Sequence, residues 1–144
     1  MVKVSDILEH KGRDVAVISK EATVVEAARM MHARHIGGLV VTERNTPIGI
    51  FTERDLMNRV VAADRDVRTT RVADVMTSPI ATVRTDTPLD ECQRLMTNMR
   101  LRHLPVVEDG ALLGIISSGD IMAWRMSSCE HAVEHLSEYL YGRT

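Results

Sequence analysis

The chain has 144 residues, with 18 basic and 20 acidic side chains well mixed for a net charge of −2, so no polybasic face marks it for nucleic acid or an anionic membrane. Its length suits one compact domain that buries about 68 to 70% of the surface its unfolded form exposes, so folding needs no metal or disulfide. Cys92 and Cys129 form no framework pattern, the amino terminus lacks an apolar signal core, and no apolar run approaches the roughly 20 residues of a membrane helix, which together predict a cytoplasmic protein.

In chain order, Val15-Ala16-Val17-Ile18 is a short apolar strand. Thr23 to Glu26 then opens a helix whose apolar positions 24, 27, 28 and 31 keep the 3.6-residue period, with Thr23 and Glu26 as a capping box. Leu39 to Thr42 and Ile48 to Phe51 are β-branched runs joined by a hairpin over Glu43 to Pro47, and a second helix runs from Glu53 to about Val61. After a linker, Ala62 to Arg71, the order returns. A strand is expected at Ala81 to Val83, then a helix from Pro88 with Thr87 as N-cap, strands at Leu104 to Val107 and Leu112 to Ile116 joined through Asp109-Gly110, and a helix from Ser118 onward.

This is a duplication. Val17–Met57 recurs at Thr82–Met122 with a constant offset of 65, and ten of the 41 aligned pairs are identical, among them Gly49/Gly114 and Asp55/Asp120. Chance gives roughly two or three. Residues 1–64 and 65–126 are therefore read as two β-α-β-β-α units sharing one core, with 127–144 as a C-terminal helical extension.

Each copy ends a strand on glycine, two apolar residues, a hydroxyl and an aspartate: Gly49-Ile50-Phe51-Thr52-x-x-Asp55 and Gly114-Ile115-Ile116-Ser117-x-x-Asp120. One reading is a helix capping box. The other is a ribose-phosphate site, in which helix-terminal amides and the hydroxyl face phosphate while the carboxylate accepts from a vicinal diol. Capping boxes favour Glu or Gln, so Asp in both copies leans toward the second reading.

The duplicated junction, together with Arg102-His103-Leu104-Pro105-Val106-Val107 and the lead-in segments Val4-Ser5-Asp6-Ile7-Leu8 and Val72-Ala73-Asp74-Val75-Met76, resembles tandem cystathionine-β-synthase (CBS) domains, the Bateman module. The resemblance covers roughly Val4 to Arg125. It implies an α/β fold in which two repeats related by a pseudo-twofold axis bind adenosine-containing ligands (AMP, ADP, ATP, NAD(H) or S-adenosylmethionine) in the clefts between them. It also implies a regulatory, non-catalytic role without an obligatory cofactor. On that resemblance Asp55 and Asp120 hold ribose hydroxyls, Thr52 and Ser117 face phosphate, and segments around Val15 and Ile80 bracket adenine. Gly38-Leu39 and Leu104-Pro105 then supply the opposite wall. Gly37-Gly38 stands where the second copy has Arg102-His103, and Arg54 stands where it has Gly119, so the clefts are expected to differ, with the Asp120 cleft the tighter.

A homodimer is expected through Leu56, Met57, Val60 and Val61 with Ile121, Met122, Trp124 and Met126; ordinary packing of Trp124 is an equal alternative. A regulated protein partner is left unidentified, and the alternative to nucleotide sensing is a ligand-free interaction scaffold. No nucleophile occurs with a base and an orienting group, so no enzyme is expected. His131-x-x-Glu134-His135 matches a zinc-protease pattern, but polar helix surface is the preferred account. Cys92 is read as a buried structural thiol, and the nine methionines as core or dimer packing.

Overall fold

The structure is a computed structural model that describes residues 1–141, with side chains through residue 128 and at Leu136. In order it comprises α1 (Val4–Lys11), β1 (Val17–Ser19), α2 (Val24–Arg34), β2 (Gly38–Glu43), β3 (Thr46–Thr52) and α3 (Glu53–Asp55), which continues as a π-helical run, Leu56–Val61. Then follow α4 (Val72–Val75), α5 (Leu89–Met99), β4 (His103–Glu108), β5 (Ala111–Ser117) and α6 (Ser118–Tyr141). β2 lies between a parallel β1 and an antiparallel β3, and β4 pairs antiparallel with β5. The expected α/β duplication is thus present.

Local chemistry explains the boundaries. Thr23 and Glu26 cap α2 reciprocally, with bonds of 2.8 and 3.3 Å. Both hairpins turn on two residues of positive φ, Arg44-Asn45 and Asp109-Gly110, the mirror-image geometry whose twist suits paired strands. α5 begins one residue later than the sequence suggests, with Pro88 as N-cap; the Thr87 hydroxyl instead accepts from the Arg84 N–H at 2.9 Å.

The strand expected at Ala81–Val83 shrinks to a single parallel bridge, Val83 with Val106. Ile18 and Val41 are the equivalent pair in the first copy, where the ladder runs three residues. In the second copy side chains compete with the ladder. Where the Lys20 N–H reaches the Thr42 carbonyl in the first copy, the equivalent Thr85 N–H and its hydroxyl both go to Glu108 Oε1, at 2.9 and 2.5 Å.

The units do not share one core. Two clusters form, and each is closed by a lead-in helix from the other side of the linker. Val4, Ile7 and Leu8 of α1 pack with Val83, Leu89, Cys92, Leu104 and Ile116, whereas Val72 and Val75 of α4 pack with Ile18, Val24, Leu39, Phe51 and Val60. Backbone bonds fix the exchange: Val4 and Leu89 donate to Thr87 and Val2, as Val72 and Val24 donate to Ala22 and Thr70, all at 2.8–3.0 Å. Val60 and Ile121 therefore belong to the cores and not to a free dimer face. Met31 and Met96 are buried with them. Trp124 packs on the second core, and its ring meets His10 of α1 edge-on at 6.2 Å, so ordinary packing accounts for it.

The lead-ins lie close enough to the sheets that a side chain would obstruct them. A Cβ on Gly49 would sit 2.6 Å from Met76 Sδ and 3.0 Å from the Thr77 carbonyl, and one on Gly114 would sit 2.8 Å from Leu8. Met76 can swing aside, but the Thr77 carbonyl is tied to Ile50. Gly49→Ala is accordingly expected to destabilise the fold by about 1–3 kcal/mol, read as a lower urea midpoint; an unchanged midpoint would show that the α4 segment moves without cost.

Candidate functional site

β3 delivers Thr52 to the start of α3, where the pair with Asp55 closes. The Thr52 N–H donates to Asp55 Oδ2 at 3.0 Å, the Thr52 hydroxyl donates to the same oxygen at 3.2 Å, and the Asp55 N–H donates back to Thr52 Oγ1 at 3.3 Å. The chain leaving α4 then pairs with β3. Ile50 and Thr77 exchange backbone bonds of 3.0 and 2.8 Å, which brings the Thr77 hydroxyl 3.0 Å from Asp55 Oδ1. Arg59 Nε lies 3.7 Å from that oxygen. Both carboxylate oxygens are engaged, and the side chain is only 7% exposed.

Asp120 repeats the cap and departs from it on the other side. The Ser117 N–H donates to Asp120 Oδ2 at 2.8 Å, and the Asp120 N–H donates to Ser117 Oγ at 3.1 Å. In place of a threonine, the ammonium of Lys11 reaches in from α1, 2.7 Å from Asp120 Oδ2 and 3.0 Å from the carbonyl of Ile115, the counterpart of Ile50. No donor reaches Asp120 Oδ1 among the described residues, and this side chain is 22% exposed. Burial pushes the Asp120 carboxyl up, but the hydrogen bonds from Lys11 and Ser117 outweigh it and hold the group below its ordinary range. The capping box therefore forms in both copies, while a carboxylate's spare acceptor sites remain open at Asp120.

Each aspartate lies in a cleft whose far wall comes from the other repeat. The Asp55 cleft, about 450 Å³, brings Thr52, Arg54 and Thr77 together with Arg100, Leu101, Arg102 and His103. The Asp120 cleft, about 710 Å³, brings Lys11, Asp14, Ala16 and Ser117 together with His35, Ile36, Gly37 and Gly38. Those two walls are the same repeat positions, and His35 and Arg100 both end their helices in the left-handed conformation that turns the chain into the next strand. His103 lines both clefts and packs against its own counterpart: a Cβ on Gly38 would lie 3.3 Å from the His103 ring.

Family comparison reads the same duplication. The CBS domain family model matches residues 4–62 and 72–127. The chain belongs to the CBS domain family. It is 30% identical over 148 residues to the mitochondrial CBS domain-containing protein CBSX3 of Arabidopsis thaliana, covering 96% of this chain and 72% of that one. Its fold superimposes with a TM-score of 0.85 on a putative signal-transduction protein with CBS domains from Burkholderia ambifaria, 37% identical, with 88% of this chain and 95% of that one covered. A CBS domain protein from Pyrobaculum aerophilum complexed with AMP gives a TM-score of 0.74 at 28% identity, over 83% and 89% of the two chains.

Within this CBS pair, several residues expected at the site lie elsewhere. Leu39 and Leu104 point into the two cores, because the strand alternation that turns Gly38 and His103 to the clefts turns their neighbours away. Pro105 is buried two residues farther along the cleft-side face, and neither Val15 nor Ile80 lines either cleft. Arg100 and Arg102 face Asp55, not Asp120. Sequence reasoning missed Lys11 and Thr77. Their signal was faint, because the lead-in Val4–Leu8 recurs at Val72–Met76 with an offset of 68, not 65, out of step with the main repeat.

Cys92 is buried in the second core, and burial pushes its thiol up to about 11, as fits an inert structural cysteine. The side chains of Cys129, His131, Glu134 and His135 lie outside the described residues. Among the described residues no three His, Cys, Asp or Glu side chains gather as a metal site, and no helix is long and apolar enough to cross a membrane.

His103 Nδ1 is buried with no hydrogen-bond partner among the described residues. Burial pushes the imidazole below its ordinary value of 6.5, against the opposing pull of Asp120. The unfolded chain then binds more protons between the two pKa values, so the stability contributed by neutral His103 is complete above about pH 6.5 and declines as pH falls through the folded value. An NMR titration of the His103 C2 proton should have its midpoint below 6.5, and His103→Gln should flatten that part of the pH–stability curve. A midpoint above 6.5 would contradict the burial.

Proposed function

We propose that this CBS pair is a regulatory, non-catalytic module that binds an adenosine nucleotide, with its nucleoside seat in the Asp120 cleft. The observation that carries this reading is the free Oδ1 of Asp120, partly exposed in a cleft of about 710 Å³, beside Ser117 and Lys11. A ribose diol can donate to the open oxygen, and the exposed Arg34 guanidinium in the same cleft supplies a cation for a phosphate. A volume of that order suits a nucleotide. The AMP complex of the Pyrobaculum relative supports the ligand class. The capped and enclosed state of Asp55 favours the second reading, a scaffold whose clefts stay empty.

Differential scanning fluorimetry with AMP, ADP, ATP and NAD separates the two. A ligand at 100 times its Kd should add about 2.7 kcal/mol of stability. Asp120→Ala should weaken the best of these by about 1.5–3 kcal/mol, roughly ten- to a hundredfold. A melting temperature unmoved by the whole panel at millimolar concentration would select the scaffold.

The module is also proposed to pair with itself. Met57 and Met122 are repeat equivalents, as are Val61 and Met126, and all four side chains are more than half exposed. Met122 and Met126 flank a groove of about 490 Å³ between α5 and α6, floored by Met96 and Ile121. Apolar surface repeated on both halves suits a twofold interface. Light scattering at tens of micromolar should report a dimer, and Met57→Glu with Met122→Glu a monomer; a monomeric parent chain would refute the pairing.

A further inference from the structure

The clefts are related by the repeat, yet their chemistry differs. In the Asp55 cleft the carboxylate offers little to a ribose, since the Thr52 N–H, the Thr52 hydroxyl and the Thr77 hydroxyl already occupy both oxygens of a nearly enclosed side chain. A diol would meet Thr77 at Oδ1 and an Oδ2 that already accepts two bonds, on a side chain only 7% exposed.

The same cleft is rich in unspent positive charge. Arg54, Arg100 and Arg102 line it, all three are exposed, and none makes an ion pair or side-chain hydrogen bond among the described residues. Against them stand only Glu53 and the engaged Asp55. In the Asp120 cleft Lys11 is already paired with Asp120, and Arg34 is the one guanidinium that lines it, against three in the Asp55 cleft. Three guanidinium groups without carboxylate partners are suited to phosphate oxygens, which they meet through paired N–H donors.

We propose that the Asp55 cleft is a phosphate-chain pocket, built by Arg54, Arg100 and Arg102, and not a second nucleoside seat. Gly37 and His103 line both clefts, so the two pockets adjoin at these residues. The proposal rests on the nucleotide reading only for what fills the other cleft.

Isothermal titration calorimetry at low salt with inorganic pyrophosphate and, separately, with adenosine tests it. Pyrophosphate should bind once per chain, and Arg100→Gln with Arg102→Gln should weaken it about tenfold or more. Adenosine should bind once per chain and leave the pyrophosphate affinity unchanged when it is present at saturation. The proposal is overturned if pyrophosphate does not bind, if its affinity survives the double substitution, or if two adenosines bind each chain. Pyrophosphate binding as stated, with neither adenosine nor AMP binding, would remove the nucleoside reading and leave the anion pocket in place.

Discussion

Everything in this molecule depends on the exchange of its lead-in helices. α1 stands first in the chain but closes the second core, and α4 follows the first repeat and closes its core. A domain of only about 50 residues buries a smaller fraction of its surface than a larger one does and is marginal by itself. Giving each half a helix from the other makes the two cores interdependent. The exchange also carries foreign side chains to each aspartate: Thr77 arrives at Asp55 on the segment after α4, and Lys11 arrives at Asp120 on the last turn of α1.

Small differences in that delivery produce the chemical difference between the clefts. α1 is eight residues long and α4 only four. The shorter helix lets the chain straighten beside β3 and pair through its backbone, so a neutral hydroxyl meets the carboxylate. The longer one keeps the chain helical through Lys11, and a flexible ammonium replaces the backbone pairing at the Ile115 carbonyl. A cation binds one oxygen of Asp120 and leaves the other open. Three residues of extra spacing thus separate a saturated carboxylate from an available one.

The repeat register was legible as self-similarity at a fixed offset, and both hairpins, the Thr23 cap and the two hydroxyl–aspartate junctions because each is local, set by residues at most a few positions apart. What escaped it was long-range or competitive. Val83 stands between Thr82 and Thr85, residues of good strand propensity, yet the Glu108 carboxylate captures the Thr85 amide that a third strand would use. The exchange of cores is invisible to periodicity, since Val4 and Val72 have the same apolar pattern whichever half they join. Arg100 and Arg102 were visible as basic residues, but only the fold shows that they cross the pseudo-twofold to meet Asp55.

Asp120 lies in the first turn of α6, an unbroken helix of 24 residues. At 1.5 Å per residue such a rod is about 36 Å long. A tilt of about 5° at its root displaces its far end by about 3 Å on the same geometry. The helix that presents the carboxylate to its cleft is therefore also a lever arm, on which a small tilt at the first turn is magnified at the last.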